Sequence, residues 1–339
     1  MFVRNHDSFL SNVMTTLYKE VMKMSKSEIQ YSIVVPVYNE ELVIGETYKR
    51  LKKVMDSTKE AYEIIFVNDG SKDGTVEIAK TICSMDKNIK LLSFSRNFGH
   101  QLAISAGMDY SSGNAVVVID ADLQDPPEVI LKMIEKWKEG YDVVYGKRAK
   151  REGETFFKKF TAKAFYRTLK SMTDIDIPVD TGDFRLIDRK VCDKLKSIPE
   201  HNRYVRGLVS WIGYKQTGVQ FVRHERFAGE TKYPLKKMLK FASDGIASFS
   251  YKPLKFPLYI GGVVSAISFL YFIFELLKDV FTSNSVSGLS LAISMIFFLI
   301  GIIFVVLGVM GEYISRMSDE AKGRPLYIIG EKEGFKDED

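Results

Sequence analysis

The most constraining feature of the sequence is an alternation of short apolar stretches with longer amphipathic ones, which begins at residue 31. The apolar stretches predict strands at residues 31–37, 63–69, 89–95, 115–122 and 142–148. Helical spacing of apolar residues predicts helices at 41–57 and from about residues 75, 100 and 127. Apolar strands connected by helices predict an α/β fold whose mainly parallel sheet is covered on both faces.

One predicted strand runs into polar residues in the segment VVVIDADLQDPPE at 116–128. Ligands of such sheets bind beyond the carboxyl ends of the strands, so Asp120 and Asp122 are expected in a crevice there. Unpaired buried carboxylates are costly, and a cation would compensate them. With Gln124 they offer the oxygen ligands that suit Mg²⁺ or Mn²⁺. The segment predicts a divalent-metal site, although the same Asp spacing also occurs by chance.

Other predicted strands also end in polar residues. Asp69 follows the second strand in VNDGSKDGT, Asn39 follows the first, and Arg148 ends the fifth. A carboxylate in the position of Asp69 commonly accepts hydrogen bonds from a nucleoside, and the alternative is an ordinary turn before a helix. The sequence contains neither GxGxxG nor GxxxxGK[ST], which argues against a dinucleotide oxidoreductase and a P-loop nucleotidase.

The region between residues 151 and 230 is less regular than the region before it. It contains a basic helical stretch at 156–170, the segment DTGDFRLID at 180–188 and a predicted strand at 217–227. We expect this region to complete the sheet and to form a wall of the crevice. Basic residues concentrate here, but the net charge of +5 over 339 residues is too small to indicate a nucleic-acid partner.

Two stretches near the C-terminus have the length and composition of membrane-spanning helices. Residues 256–274 and 288–311 contain no charged residue, and about 20 apolar residues cross a bilayer as a helix. The alternative is a hydrophobic hairpin in the protein core. Lysines and arginines flank the outer ends of the pair, so the positive-inside rule places both termini and the large N-terminal domain in the cytoplasm.

The remaining segments complete a predicted division of the chain. Residues 233–252 have the pattern of an amphipathic helix in the headgroup layer or packed on the domain, and 324–331 predict an exposed strand. That strand is expected to pair with the α/β domain or with a neighbouring subunit. The predicted units are an N-terminal extension (1–30), an α/β domain (31–230), a juxtamembrane region (231–255), two spans (256–313) and a cytoplasmic tail (314–339).

A set of motifs gives the chain a specific resemblance. The motifs, in order, are VVPVYNE (34–40), NDGSKDGT (68–75), SRNFGHQ (95–101), DADLQDPPE (120–128), YGKR (145–148), DTGDFRL (180–186) and RFAGETKY (226–233). Followed by two spans, they resemble family 2 glycosyltransferases of the GT-A fold. The resemblance is closest to the polyprenyl-phosphate glycosyltransferases, the group that includes bactoprenol glucosyltransferase and dolichol-phosphate mannose synthase. It covers residues 31–330.

The resemblance implies roles for individual residues. Base and ribose of a nucleotide-sugar would be held by Pro36, Tyr38, Glu40 and Asp69, and the metal and diphosphate by Asp120, Asp122 and Gln124. Arg148 would contact the lipid phosphate, Asp183 would be the proposed base, and Arg226 and Lys232 would lie in a loop that closes over the phosphates. Asn68 stands where many relatives carry a second aspartate. Tetramers occur among such relatives, so a homo-oligomer is a further expectation.

The expected activity is transfer of one sugar, with UDP-glucose as the expected donor, to polyprenyl phosphate at the cytoplasmic face of the membrane. A phosphate monoester has a second pKa of about 6 and arrives ionised, so Asp183 is needed less as a base than for positioning or charge stabilisation. Arg206 and Arg223 are further candidates for holding phosphates. The alternatives are a processive polysaccharide synthase, for which the sequence lacks a QxxRW motif, and a membrane scaffold without catalysis.

Overall fold

The computed structural model describes residues 29–150, 178, 181–201, 203–223 and 288–335 of the 339-residue chain. The predictions for the basic stretch at 156–170, the amphipathic helix at 233–252 and the first span at 256–274 lie outside the described residues. So does the N-terminal extension, apart from its last two residues.

The described residues form eight strands and seven helices. The strands are β1 (Tyr31–Val37), β2 (Tyr62–Asn68), β3 (Ile89–Phe94), β4 (Ala115–Val118), β5 (Val143–Lys150), β6 (Thr181–Asp188), β7 (Gln216–Val222) and β8 (Ile329–Glu333). The helices are α1 (Ile44–Asp56), α2 (Thr75–Met85), α3 (His100–Asp109), α4 (Val129–Lys138), α5 (Arg189–Lys196), α6 (Val205–Ile212) and α7 (Gly288–Ala321).

The strands form one sheet in the order β7-β5-β6-β4-β1-β2-β3-β8. Strand β1 pairs in parallel with β2 and β4, β2 with β3, and β5 with β7. Strand β6 is antiparallel to β4 and β5, and β8 is antiparallel to β3. The prediction of an α/β fold with a mainly parallel sheet is confirmed, and two antiparallel strands make the sheet mixed.

Helices cover both faces of the sheet. Helices α1, α2 and α4 pack on one face and α3, α5 and α6 on the other. Consecutive residues of β1 alternate between the two layers, so Ile33 and Val35 contact the first and Val34 the second. Each of these side chains is fully buried, and burial of such a side chain contributes about 1.5–3 kcal/mol. Two buried faces explain why the strands are apolar throughout.

Strand β4 is shorter than the sequence predicted. It ends at Val118, and the N–H of Ile119 makes a last ladder bond of 3.1 Å to the carbonyl of Val34. Pro36 lies two residues beyond Val34 in β1. It has no backbone N–H, so it cannot donate the hydrogen bond that a longer β4 would need. The predicted strand at 115–122 therefore stops early, and Asp120 and Asp122 lie in the turn that follows it.

Strand β6, in the DTGDFRLID segment, is inserted between β4 and β5. The insertion confirms the expectation that the region after residue 150 completes the sheet. Strand β7 pairs with β5 at one edge of the sheet. It begins at Gln216, one residue before the start of the strand predicted at 217–227. Both strands therefore bring residues from the less regular region to the same sheet as the DADLQD turn.

The C-terminal part begins with helix α7, which covers the whole of the second predicted span and continues to Ala321. Within the described residues, no helix is identified as long and apolar enough to cross a membrane. Strand β8 follows and pairs with β3, so the strand predicted at 324–331 joins the sheet of the same chain and lies at 329–333. Tyr327 precedes it and stacks on Phe94, with ring centroids 5.3 Å apart.

The end of α7 is attached to the α/β domain through His201. Its Nδ1 lies 2.8 Å from the Glu320 carboxylate and its Nε2 lies 2.6 Å from the carbonyl oxygen of Arg324. Both partners accept hydrogen bonds, so only the doubly protonated ring makes both bonds. The hydrogen bond with Glu320, followed by the Arg324 carbonyl, raises the pKa of His201 above its ordinary value of 6.5.

This raised pKa predicts a loss of stability in alkaline solution. The contribution of His201 is fully present below about pH 6.5 and is lost as the pH rises through the folded-state pKa. The pair is partly exposed, so we expect a loss of less than about 1 kcal/mol. Thermal unfolding of the protein at pH 6 and pH 9 measures this loss of stability. His201→Gln is the control and should show the smaller change; equal changes in both proteins would contradict the assignment.

Candidate active site

The candidate site lies beyond the carboxyl ends of β1 and β4. From β1 the chain continues to β2 and β3 on one side, whereas β4 lies on the other side of β1. Loops that leave such a switch point diverge and open a crevice. The loop after β1 carries Tyr38 and Glu40, and the loop after β4 carries Asp120 and Asp122. The structure thus places these four predicted residues on the two loops that border the switch point.

The turn after β4 has a constrained backbone. Leu123 has a φ of 57°, a left-handed conformation that is unusual for a residue with a side chain, and its side chain is buried. The N–H of Gln124 donates to Oδ1 of Asp122 at 3.1 Å. This local bond and the buried leucine fix the direction of the acidic turn. The backbone of Gln124 therefore lies directly beside the Asp122 carboxylate.

The Asp120 carboxylate has the properties expected of a cation ligand. Its Oδ1 is buried, and among the described residues it has no hydrogen-bond partner. Burial, together with the charges of Asp122 and Asp183, raises the pKa of Asp120, although His100 opposes the shift. A divalent cation would remove this cost, so the acidic turn fits such an ion. No cluster of three or more His, Cys, Asp or Glu side chains suited to a metal occurs within the described ranges.

His100 connects the acidic turn to Asp183. Its Nε2 lies 3.4 Å from Oδ1 of Asp120 and 3.5 Å from Oδ2 of Asp183. Burial alone would lower the pKa of His100, but its interactions with Asp183 and Asp120 outweigh this effect and raise the pKa to about 9. The sequence placed His100 at a helix start, and it is indeed the first residue of α3. Its contacts with two carboxylates were not expected.

Asp183, on β6, is held as an ion. Arg206 donates to both of its oxygens, at 2.8 and 3.1 Å, and Nε2 of Gln101 donates to Oδ2 at 3.2 Å. Burial would raise the pKa of Asp183, but the charge of Arg206 and the bonds from His100 and Arg206 hold it well below its usual range. An efficient general base has a pKa near the working pH. Such a carboxylate is better suited to positioning and charge stabilisation than to proton removal.

A third carboxylate of the turn after β4, that of Asp125, lies deeper than the other two and faces two arginines. It is 2% exposed; its Oδ2 lies 3.9 Å from Arg148, and its Oδ1 lies 3.5 Å from Nε of Arg223. Burial raises the pKa of Asp125 to about 6 against the opposing charge of Arg148. Gly182 lets Arg148 lie close to β6, because a Cβ there would meet Nη2 of Arg148 at 2.8 Å. Arg148 therefore reaches the same region as Asp183, although the two residues are on different strands.

Asp69 has partners within the protein. Its carboxylate accepts hydrogen bonds from the backbone N–H groups of Phe98 and Gly99 and from the side chain of Asn97, at 2.7–3.0 Å. Burial still raises the pKa of Asp69. Gly70 follows with a φ of 69°, where a Cβ would meet backbone atoms of Arg96 at 2.6 Å. The structure thus gives Asp69 a role that the sequence did not suggest, which is to hold the loop that leads into α3.

The loops after β1 and β2 are joined directly. The N–H of Glu40 donates to Oγ1 of Thr75 at 2.8 Å, and the N–H of Gly74 donates to the carboxylate of Glu41. Pro36, Tyr38 and Glu40 thus lie in and after β1, beside the loop that contains Asp69. The remaining predicted residues, Arg226 and Lys232, lie outside the described residues.

Known proteins resemble the chain over most of its length. A family model described as glycosyl transferase family 2 matches residues 32–196. The "Uncharacterized glycosyltransferase YkcC" of Bacillus subtilis (strain 168) is 63% identical over 308 residues, which are 91% of this chain and 95% of that protein. The chain is a family 2 glycosyltransferase. The chain is also 42% identical to the "Bactoprenol glucosyl transferase" of Shigella phage SfV, over 89% of this chain and 98% of that protein.

Solved structures also resemble the glycosyltransferase. One is glucosyl-3-phosphoglycerate synthase from Mycobacterium tuberculosis in complex with Mn²⁺, UDP-glucose and phosphoglyceric acid. The similarity covers 66% of this chain and 79% of that chain, with 22% sequence identity and a TM-score of 0.45.

Besides His100, two residues that contact the predicted site of the glycosyltransferase were missed in the sequence. Asp125 belongs to the motif DADLQDPPE, but only the three residues before it that suit a metal were selected. Gln101 ends the motif SRNFGHQ, to which the sequence gave no mechanism. For Asp125 the available signal was position, because it follows β4, whose carboxyl end borders the crevice.

Proposed function

We propose that the chain transfers a single sugar from a nucleotide-sugar, with UDP-glucose as the first donor to test, to polyprenyl phosphate, with inversion at the anomeric carbon. The proposal is supported by relatives that match most of the chain, among them the proteins named bactoprenol glucosyl transferase in Shigella phages SfII and SfV. It is also supported by the motif resemblance to polyprenyl-phosphate glycosyltransferases of the GT-A fold.

The observation that carries the proposal is that acidic and basic side chains lie close together beyond the carboxyl ends of the strands. His100 lies between the carboxylates of Asp120 and Asp183 and is close to both. Asp183 is paired with Arg206, and Arg148 lies beside Asp125 in the acidic turn. Donor and acceptor are both anionic phosphates and repel each other. A site with carboxylates for a cation on one side and arginines on the other offsets that repulsion.

The reaction would be a single displacement. The acceptor phosphate, whose second pKa is about 6, is mostly ionised at pH 7, so its oxygen attacks the anomeric carbon without a strong base. Arg148 holds the attacking phosphate, and the Asp183 carboxylate fixes Arg206 and favours positive charge at the sugar. Asp120, Asp122 and Gln124 would hold Mg²⁺ or Mn²⁺, which supplies charge neutralisation on the departing diphosphate.

The donor site proposed from the resemblance combines the loops at the switch point. Its residues are Pro36, Tyr38, Glu40, Asp69, Asp120, Asp122, Arg226 and Lys232. The inward carboxylate of Asp69 already holds Phe98 and Gly99, so its contribution to nucleoside binding would be made through the shape of that loop. Arg226 and Lys232 would close over the phosphates after the donor binds.

The acceptor is a membrane lipid, and the proposal therefore includes a membrane anchor. The uncharged stretches 256–274 and 288–311 would cross the bilayer, with the α/β domain and both termini in the cytoplasm. A homo-oligomer, a tetramer by resemblance, would be the assembled form.

Direct transfer to lipid tests the proposal. Membranes that contain the protein are incubated with radiolabelled UDP-glucose, polyprenyl phosphate and Mg²⁺, and the lipid fraction is extracted and analysed by mass spectrometry. We expect a labelled polyprenyl-phosphate sugar that is absent without the acceptor. Failure to label lipid with UDP-glucose, UDP-N-acetylglucosamine and UDP-galactose would refute the proposed activity and favour the scaffold alternative.

Replacing Arg148 with alanine should impair use of the acceptor more than binding of the donor. A hydrogen bond to a charged group is worth about 1.5–3 kcal/mol, so we expect kcat/KM for polyprenyl phosphate to fall about 10- to 100-fold. The Kd for UDP, measured by calorimetry, should stay within about twofold. Arg50→Ala is the matched control, because Arg50 pairs with Glu128 on the surface. Equal losses in both measurements would contradict the role given to Arg148.

A further inference from the structure

The first turn of α3 extends a side chain between two elements of the candidate site. Nε2 of Gln101 donates to Oδ2 of Asp183 at 3.2 Å, and its Oε1 accepts the backbone N–H of Val205 at 3.1 Å. The carboxylate can only accept and the N–H can only donate, so the orientation of the amide is fixed. One side chain therefore contacts both β6 and the beginning of α6.

The contact with Val205 satisfies a need of α6. The first N–H groups of a helix have no partner in the helix itself. The N-cap residue of α6 is Tyr204, and within the described residues it makes no side-chain cap. Gln101 supplies the missing acceptor from another helix. The second residue of α6 is Arg206, which donates to both oxygens of Asp183. Gln101 thus fixes the carboxylate and the start of the helix that carries its arginine partner.

We propose that Gln101 is a positioning residue of the transfer reaction, which sets the relative geometry of Asp183 and Arg206. This inference rests on the proposed function. Among the described residues, the side-chain hydrogen bonds of Gln101 go to Asp183 and Val205, and not to the acidic turn or to the arginines beside Asp125. Its effect should therefore fall on turnover with the acceptor and not on nucleotide binding.

Two substitutions separate positioning from simple capping. Gln101→Leu keeps a side chain of similar bulk and removes both hydrogen bonds. Gln101→Glu keeps an acceptor for the N–H of Val205 but places a second carboxylate against Asp183. We expect kcat to fall about 10- to 100-fold in Gln101→Leu and at least as far in Gln101→Glu, with the Kd for UDP within about twofold of wild type.

Gln216→Leu is the matched control, because Nε2 of Gln216 donates to the carbonyl of Val209 near the other end of α6, at 3.2 Å. It should retain wild-type kcat within about twofold. Recovery of wild-type kcat in Gln101→Glu would reduce Gln101 to a helix cap and overturn the inference, as would full activity in Gln101→Leu. A wild-type protein that labels no lipid while still binding UDP would instead refute the proposed function.

Discussion

Replacing Asp122 with asparagine is expected to reduce sugar transfer by at least about 100-fold. The metal proposed at the acidic turn would contribute several kcal/mol to stabilisation of the leaving diphosphate, and each 1.36 kcal/mol corresponds to about a tenfold change in rate. The substitution removes one carboxylate charge but leaves an oxygen that can accept the N–H of Gln124, now at 3.1 Å from Oδ1. The fold should therefore survive, and the transfer assay with Mg²⁺ measures the loss.

Glu128→Gln is the matched control for Asp122→Asn. Glu128 belongs to the same segment, but its side chain is 58% exposed and pairs with Arg50 at the surface. This variant should transfer sugar within about twofold of wild type. Excess EDTA should abolish transfer by the wild-type protein, and added Mn²⁺ or Mg²⁺ should restore it. Full turnover in EDTA, or full activity of Asp122→Asn, would rule out the metal role of the acidic turn.

Replacing Asp183 with asparagine is expected to have the second large effect, on both activity and stability. The substitution removes the carboxylate charge that pairs with the Arg206 guanidinium, whose side chain is 19% exposed. Breaking such a pair costs about 3 kcal/mol in the free energy of unfolding, which thermal or denaturant unfolding measures. Transfer should fall about 100-fold or more, because Arg206 and Gln101 lose the anion that orients them.

The pH dependence of the reaction distinguishes the roles of Asp183. The Arg206 charge holds the pKa of Asp183 well below its usual range, so the carboxylate is ionised throughout pH 5–8. Activity of the wild type should therefore decline in acid near the second pKa of the acceptor phosphate, about 6, and this decline should move with the pKa of the acceptor used. A decline that is the same with acceptors of different pKa would indicate a titrating group of the protein.

Asp109→Asn is the control for loss of a carboxylate elsewhere in the domain. Asp109 ends α3 and accepts a hydrogen bond of 2.9 Å from the Tyr327 hydroxyl, which an amide oxygen can also accept. We expect transfer within about twofold of wild type. Loss of activity in Asp109→Asn as large as in Asp183→Asn would mean that the assay responds to stability and not to the site.

Much of the candidate site could be predicted because its residues follow apolar strands. The pattern of β1, β2 and β4 placed the loops of Glu40, Asp69 and Asp120 at one edge of a parallel sheet. The pairing of Asp183 with Arg206 could not be predicted in this way. The two residues are on β6 and α6, and their meeting depends on the insertion of an antiparallel strand between β4 and β5.

The inward role of Asp69 was also beyond sequence reasoning. An aspartate after a strand has the same local pattern whether it faces a nucleoside or a neighbouring loop. Only the approach of the Phe98 and Gly99 N–H groups decides between them. Asp125 is a similar case, because its proximity to Arg148 and Arg223 joins residues from three segments of the chain.

The sequence by itself determined the α/β class, the family and the acidic turn, because hydrophobic periodicity and short motifs are local properties of the chain. The tertiary structure alone decided the ionised state of Asp183, the contacts of His100 and Gln101, and the pairing of β8 with β3. These features depend on which side chains approach from distant segments. Charge pairing and burial act through space, and the order of residues along the chain does not record such distances.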